Sequence, residues 1–245
     1  MKAVIIAAGC GSRLQDYHHG IPKTLLEVLG KRIIDDILQK LLFRGISEIV
    51  IATGFKGNLI KDYLVQSPFA ENITFVHNPN WKKANGISVL CSKIALKPSD
   101  TFLLMMSDHI FQLEILDDVI DFAIHDNEAL LAIDRKIESI PDIDDGMKLQ
   151  CTHLKDSVYR INRFSKQLNN FDAIDTGIFK FQYSFFSTLG NAITSGNDSL
   201  SDACNVLSKN HKMIGIDIGD KRWLDIDTPE MLNQERLLEE ILNIS

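Results

Sequence analysis

The segment Lys2-Ala3-Val4-Ile5-Ile6-Ala7-Ala8 runs directly into Gly9-Cys10-Gly11-Ser12-Arg13-Leu14, and Pro22-Lys23-Thr24 follows. A strand that ends in Gly-x-Gly suits an anion, because glycines let the backbone approach it and leave N–H groups pointing at it. Three users of such a loop can be separated. A dinucleotide fingerprint needs a third glycine where Leu14 stands, and an acidic residue at the end of the second strand, which here ends at Ala52-Thr53. A P-loop needs its lysine directly after a glycine, whereas Lys23 follows Pro22. The remaining reading is a polyphosphate loop with two trailing cations, Arg13 and Lys23. A single Arg or Lys is usually a solvated surface charge. These two stand directly behind a glycine-rich strand end, and Pro22 fixes the backbone beside Lys23.

Two distant carboxylates complete the chemical signal. Asp108 follows the apolar run Phe102 to Met106, at the end of a strand where doubly wound sheets bind ligands. Asp225 lies in Trp223-Leu224-Asp225-Ile226-Asp227-Thr228-Pro229. Asp227 is a third candidate, although it or Thr228 could instead cap a helix that starts at Pro229. Carboxylates from separate strand ends suit Mg²⁺, which takes one or two of them together with phosphate oxygens. The seven histidines show no metal-ligand spacing. His18-His19 reads as an exposed loop pair, and His109 stands next to Asp108, where it could line the site. Trp223, Phe164, Phe171, Phe179 and Phe181 read as core or pocket wall.

These groups need a scaffold that brings strand ends together. Ile33, Ile34, Ile37, Leu38, Leu41 and Leu42 form one apolar face at helical period, Gly45 ends that helix, and Glu48 to Ala52 reads as the next strand. This is a βαβ unit. The alternation continues with helices at Leu59–Leu64, Gly86–Ile94 and Ile115–Ile124, and strands at Ile73–Val76, Thr101–Met106 and Ala129–Ile133. From Asp134 to about Lys180 the pattern loosens into short strands and turns. It then returns to helices at Phe185–Ile193 and Leu200–Asn210, a strand at Met213–Ile218 and a helix from Pro229 to Ile244. The expected fold class is α/β: one doubly wound domain over 1–245, with a mostly parallel mixed sheet and an irregular β insert after its first half.

Composition excludes several other functions. The 245 residues are 45% hydrophobic and 24% charged, as in folded globular proteins. With 26 basic and 33 acidic residues the net charge is −7, which disfavours a nucleic-acid partner. Cys10, Cys91, Cys151 and Cys204 lack C-x-x-C spacing, so zinc and thioredoxin-like chemistry are not indicated. The run Ala3–Ala8 is too short for a signal peptide, and no stretch of about 18 apolar residues could span a membrane. A reducing, cytoplasmic location is expected.

The segment Ala7 to Leu14 together with Pro22-Lys23-Thr24-Leu25 resembles the signature of nucleotidyltransferases that activate phosphorylated small molecules. The resemblance covers nearly the whole chain. Sugar-nucleotide members usually carry glycine before the metal aspartate; here the sequence reads Met106-Ser107-Asp108-His109. His77-Asn78-Pro79-Asn80-Trp81 with Asn85-Gly86-Ile87-Ser88 is similar to CTP-using members. Ile133-Asp134-Arg135, Asp144 to Leu149, Ser165-Lys166, Ala173 to Phe179 and Asp225 to Pro229 resemble CTP:inositol-1-phosphate cytidylyltransferases. Three positions depart from that pattern: Gly146-Met147 replace Ala-Thr before Lys148, and Asp172 stands where asparagine is common.

The resemblance implies a nucleotide-diphospho-sugar-transferase-like fold with a nucleotide half over 1–133 and an acceptor half over 134–245. It implies Mg²⁺ on Asp108, Asp225 and Asp227. Ala8, Gly9, Gly11, Ser12, Arg13, Lys23, Asn85, Gly86, Ser88 and Asp108 would hold CTP. Lys148 and Lys166 would grip the acceptor phosphate, and Asp134, Asp172 and Asp175 its hydroxyls. Arg13, Lys23, Asp108 and Asp225 would carry the reaction, with Lys23 near the α-phosphate and Arg13 near the β and γ oxygens. The partners are CTP and a small phosphorylated acceptor, and both a homodimer and one domain of a longer fused enzyme stay open. Phosphocholine, 2-aminoethylphosphonate and sugar 1-phosphates are alternative acceptors. A regulatory subunit would predict decay of the Gly/Arg/Lys/Asp set, which is complete, and an oxidoreductase is disfavoured by Leu14.

Overall fold

The computed structural model describes residues 1–14, 20–141 and 143–243. The pair His18-His19 lies outside the described residues. The strands are β1 (Lys2–Ala7), β2 (Glu27–Val28), β3 (Lys31–Arg32), β4 (Ile49–Thr53), β5 (Ile73–His77), β6 (Thr101–Met106), β7 (His109–Phe111), β8 (Ala129–Asp134), β9 (Lys148–Lys155), β10 (Val158–Phe164), β11 (Ala173–Gln182), β12 (Met213–Asp217) and β13 (Trp223–Asp225). The α-helices are α1 (Ile33–Phe43), α2 (Gly57–Leu64), α3 (Asn85–Ser92), α4 (Leu113–Asp121), α5 (Phe185–Thr194), α6 (Leu200–Lys209), α7 (Pro229–Leu232) and α8 (Glu235–Leu242).

Nine of the described strands form one sheet in the order β5-β4-β1-β6-β11-β8-β12-β10-β9. β5, β4, β1 and β6 pair in parallel, as do β8 and β12, while β11 and β10 run against their neighbours. This is the doubly wound, mostly parallel mixed sheet expected. The loosely patterned stretch after Asp134 supplies β9, β10 and β11 to that same sheet. Its alternation is hard to read because β9 turns exposed beyond Cys151 and a bulge interrupts β11 near Gly177. β1 sits between two parallel partners and is buried along its whole length, which is why it reads as an unbroken apolar run.

Two apolar clusters cover the two faces. Ile34, Ile37, Leu38 and Leu41 of α1 pack on one side with Ile5 and Met105, and Phe102, Phe179 and Phe181 pack on the other with α5 and α6. Helix α1 stops where Gly45 takes φ +73°, and the bonds Gly45 N–Leu42 O and Ile46 N–Leu41 O close a Schellman motif. The terminal helix expected from Pro229 is broken at Asn233-Gln234. The N–H groups of those two residues turn back to Glu230 and Met231, and α8 starts afresh at Glu235.

One buried ion pair ties the scaffold to the strand behind Asp108. Asp36 is almost wholly buried and accepts from Lys31 (2.7 Å) and Lys40 (2.5 Å), and Lys40 also donates to the carbonyl of Phe111 on β7. Burial lowers the Lys40 pKa against the pull of Asp36. Asp36→Ala would leave an unpaired buried ammonium, so a loss of about 3–5 kcal/mol is expected in urea unfolding. A loss below about 1 kcal/mol would show that Lys40 finds water.

Candidate active site

The end of β1 and the ends of β6 and β13 meet around Lys23. Gly11 adopts φ +57°, and a Cβ there would press on the Lys23 stem at 3.3 Å, so the glycine lets Lys23 lie across the loop. Pro22 leads into a single 3₁₀ turn, Lys23–Leu25, which carries the ammonium inward. That ammonium reaches Asp108 at 2.9 Å and Asp225 at 3.4 Å, and it also donates to Asp227. Arg13 pairs with Asp227 and, at 2.8 Å, with Asp145. Neither Asp227 nor Thr228 caps α7 through its side chain. Asp227 faces the two cations instead.

The carboxylates arrive by a small ribbon that sequence patterning did not reveal. β7 and β13 pair antiparallel with His109 opposite Asp225, and Ile226 N donates to the Asp108 carbonyl at 2.9 Å. Each strand is only three residues long, too short to show an alternating pattern. The His109 Nδ1 lies 2.9 Å from Asp108 Oδ1 and 4.0 Å from Asp225 Oδ1. Its ring stacks on Trp223 with centroids 5.4 Å apart, and the Trp223 indole N–H donates to Asp134 at 2.9 Å.

Electrostatics separate the carboxylates. Burial opposes the ionisation of Asp108, but the charges of Lys23 and His109 prevail and hold it far below the usual carboxylate range. Burial raises Asp225, and the Asp108 charge adds to that shift. His109 is raised because Asp225 and Asp108 outweigh the cost of burying its charge. Asp108, Asp225 and Asp227 thus face Lys23, Arg13 and His109. Asp108, His109 and Asp225 place ligand atoms within 4.8 Å of one another. The two carboxylates among them offer the hard oxygen ligands that a divalent ion such as Mg²⁺ takes.

Beside this centre lies a cavity of about 300 Å³ whose walls include Asn85, Trp223, Met147 and Ile140. Of the residues expected to hold an acceptor, Lys166, Asp134 and Asp175 line it. Lys166 pairs with Asp145 at 2.8 Å. Both Asp134 oxygens are engaged, one by Trp223 and the other by the backbone and side chain of Lys136. Lys148 and Asp172 do not line this cavity. Lys148 lies over the Phe171 ring at 5.3 Å. Asp172 accepts the Cys151 N–H at 2.7 Å and borders a separate surface depression.

On the nucleotide side, Ala8, Gly9 and Gly11 form the loop that follows β1, and Ser12 opens the 3₁₀ turn Ser12–Leu14. Asn85 starts α3 and accepts the Leu200 N–H at 2.9 Å. Gly86 and Ser88 have packing duties. A Cβ at Gly86 would come within 2.5 Å of the Asp198 carbonyl, and Ser88 is buried and accepts from Asn78 at 2.8 Å. The sequence did not reveal the pairing of Asp145 with Arg13 and Lys166, nor the anchoring of Trp223. The run Asp144-Asp145 was visible, but nothing local ties it to Arg13.

Asp175 gives a pH signature. It accepts the Gly177 N–H at 2.7 Å, yet burial pushes its pKa up to about 6. The unfolded chain ionises first, so the folded state holds the extra proton between about pH 4 and pH 6, and stability falls as pH rises through that window. Asp175→Asn should therefore raise stability at pH 7 by up to about 3 kcal/mol and change it little at pH 4. Equal effects at both pH values in chemical denaturation would contradict this.

Residues 2–239 match the family described as nucleotidyl transferase. The chain is 28% identical over 230 residues to the bifunctional IPC transferase and DIPP synthase of Aquifex aeolicus, covering 93% of this chain and 49% of that protein. It is 27% identical to the bifunctional protein GlmU of Methanococcus maripaludis, covering 94% and 52%. The chain thus spans about half the length of the curated relatives it matches. Among solved structures, the inositol-1-phosphate CTP transferase from T. maritima superposes with a TM-score of 0.84 at 21% identity, covering 98% of this chain and 95% of that one. No described helix is long and apolar enough to cross a membrane.

Proposed function

The chain belongs to the nucleotidyl transferase family and is a nucleotidyltransferase, and from that premise we propose that it transfers a cytidylyl group from CTP to inositol 1-phosphate. The products are CDP-inositol and pyrophosphate. The observation that carries the reading is Lys23 held among Asp108, Asp225 and Asp227, with the glycine loop on one side and the cavity on the other. The choice of acceptor is supported by similarity to proteins whose names include IPC transferase and inositol-1-phosphate CTP transferase.

An acceptor phosphate oxygen attacks the α-phosphorus in line, and the bond to the leaving pyrophosphate breaks. The nucleophile is ionised at neutral pH and needs no general base. The obstacle is repulsion: two unit charges 4 Å apart cost about 4 kcal/mol at an effective dielectric of 20. Lys23 neutralises charge at the α-phosphate and Arg13 at the β and γ oxygens, each leaving its carboxylate partners for the substrate. Asp108, Asp225 and Asp227 would hold Mg²⁺, which when bound supplies further charge neutralisation on the phosphate oxygens. Lys166 at the cavity wall takes the acceptor phosphate, and Asp175 accepts from a hydroxyl. Residues 1–133 form the nucleotide half and 134–245 the acceptor half.

The test is pyrophosphate release with Mg²⁺ and CTP over a panel of inositol 1-phosphate, phosphocholine, 2-aminoethylphosphonate and glucose 1-phosphate. Release with inositol 1-phosphate alone is expected. Release only with glucose 1-phosphate would move the acceptor to the sugar phosphates.

A further inference from the structure

The ring of His109 is held on one face, along its Cδ2–Nε2 edge and at Nδ1. One face stacks on Trp223 at an interplanar angle of 8°. Trp223 is in turn anchored by its indole N–H on Asp134, which is 3% exposed. The Cδ2–Nε2 edge abuts Gly177, where an added Cβ would stand 3.0 Å from both atoms. Gly177 takes φ +77° at the point where β11 slips its register against β8, so the bulge brings bare backbone to the ring. The remaining polar atom, Nδ1, points at Asp108 Oδ1 from 2.9 Å. Asp108 meanwhile offers its other oxygen to Lys23.

We propose that His109 is a positioning residue: clamped between Trp223 and Gly177, it donates its Nδ1 proton to Asp108 and fixes the orientation of that carboxylate for a divalent ion. The proposal rests on the reading of Asp108 as a metal ligand. His109 itself does not ligate the ion, because its Nδ1 lone pair is replaced by the N–H that Asp108 accepts. Groups that orient a metal ligand in this way typically change metal affinity by about 10- to 100-fold when removed.

The test needs no turnover. In ¹⁵N-histidine-labelled full-length protein titrated with Mg²⁺, the His109 Nδ1 should keep its proton at saturation. Loss of that N–H as Mg²⁺ binds would make His109 a ligand and overturn the proposal. In parallel, Mn²⁺ binding is followed by the EPR signal of the free ion. His109→Phe keeps a stacked ring without a donor and should weaken Mn²⁺ by about tenfold or more. His109→Asn restores a donor at the Nδ1 position and should stay within about threefold of the parent. Parent-like affinity in His109→Phe would overturn the clamp. Asp108→Ala in the same titration separates the two layers. Unchanged affinity there removes the metal-ligand reading and the clamp with it, whereas weakened affinity there with an unaffected His109→Phe removes the clamp alone.

Discussion

Lys23→Ala should lower kcat by at least about a hundredfold, with a smaller change in KM for CTP. The ammonium balances Asp108, Asp225 and Asp227, and its side chain is 6% exposed. A cation so enclosed can be drawn toward substrate only by a stronger anion, and the α-phosphate becomes one as pentacoordinate charge develops. Its contribution is therefore greatest in the transition state, which places the loss in kcat. The substitution also leaves Asp108 and Asp225 without their shared cation, so thermal stability should fall at low ionic strength and recover when Mg²⁺ is added. Single-turnover kinetics measure the first effect. An unchanged kcat would make Lys23 a structural counter-ion only.

Asp108→Ala should abolish metal-dependent turnover while the fold persists. Asp108 follows a strand buried between β1 and β11, so the sheet does not depend on its carboxylate. The side chain nonetheless collects Lys23 and His109 and is held ionised far below neutral pH. Its loss removes the best-ionised of the proposed ligands and releases Lys23 toward Asp225 and Asp227. A drop of three or more orders of magnitude in kcat/KM, with unchanged far-UV circular dichroism, is the expected result, equivalent to about 4 kcal/mol of transition-state stabilisation. Turnover within tenfold of the parent would contradict the assignment.

What the sequence disclosed and what it concealed have physical causes. β1, β6 and α1 were legible because parallel strands buried on both faces read as apolar runs, and α1 carries a clean helical stripe ending at Gly45. Gly11, Asp108 and Asp225 were legible as candidates because they stand at or just beyond strand ends, where ligands gather in such sheets, and Lys23 because it follows the glycine loop directly after Pro22. The β7–β13 ribbon was not legible: each strand is three residues long, and their pairing joins positions more than a hundred residues apart. Lys148 and Lys166 looked equivalent in sequence, but only Lys166 reaches the cavity, because Lys148 starts a sheet strand and packs on Phe171. Asp134 was expected at a hydroxyl. Its oxygens are engaged by Lys136, two residues on, and by Trp223, a tertiary contact between β8 and β13.

The central claim is transfer at the α-phosphorus, and the fate of labelled oxygen tests it most directly. Inositol 1-phosphate with ¹⁸O in its phosphate is incubated with CTP and Mg²⁺, and the products are read by ³¹P NMR. The account predicts unlabelled pyrophosphate, with one ¹⁸O bridging the two phosphorus atoms of CDP-inositol. CDP in place of pyrophosphate, or pyrophosphate with CMP and unreacted labelled acceptor, would contradict it.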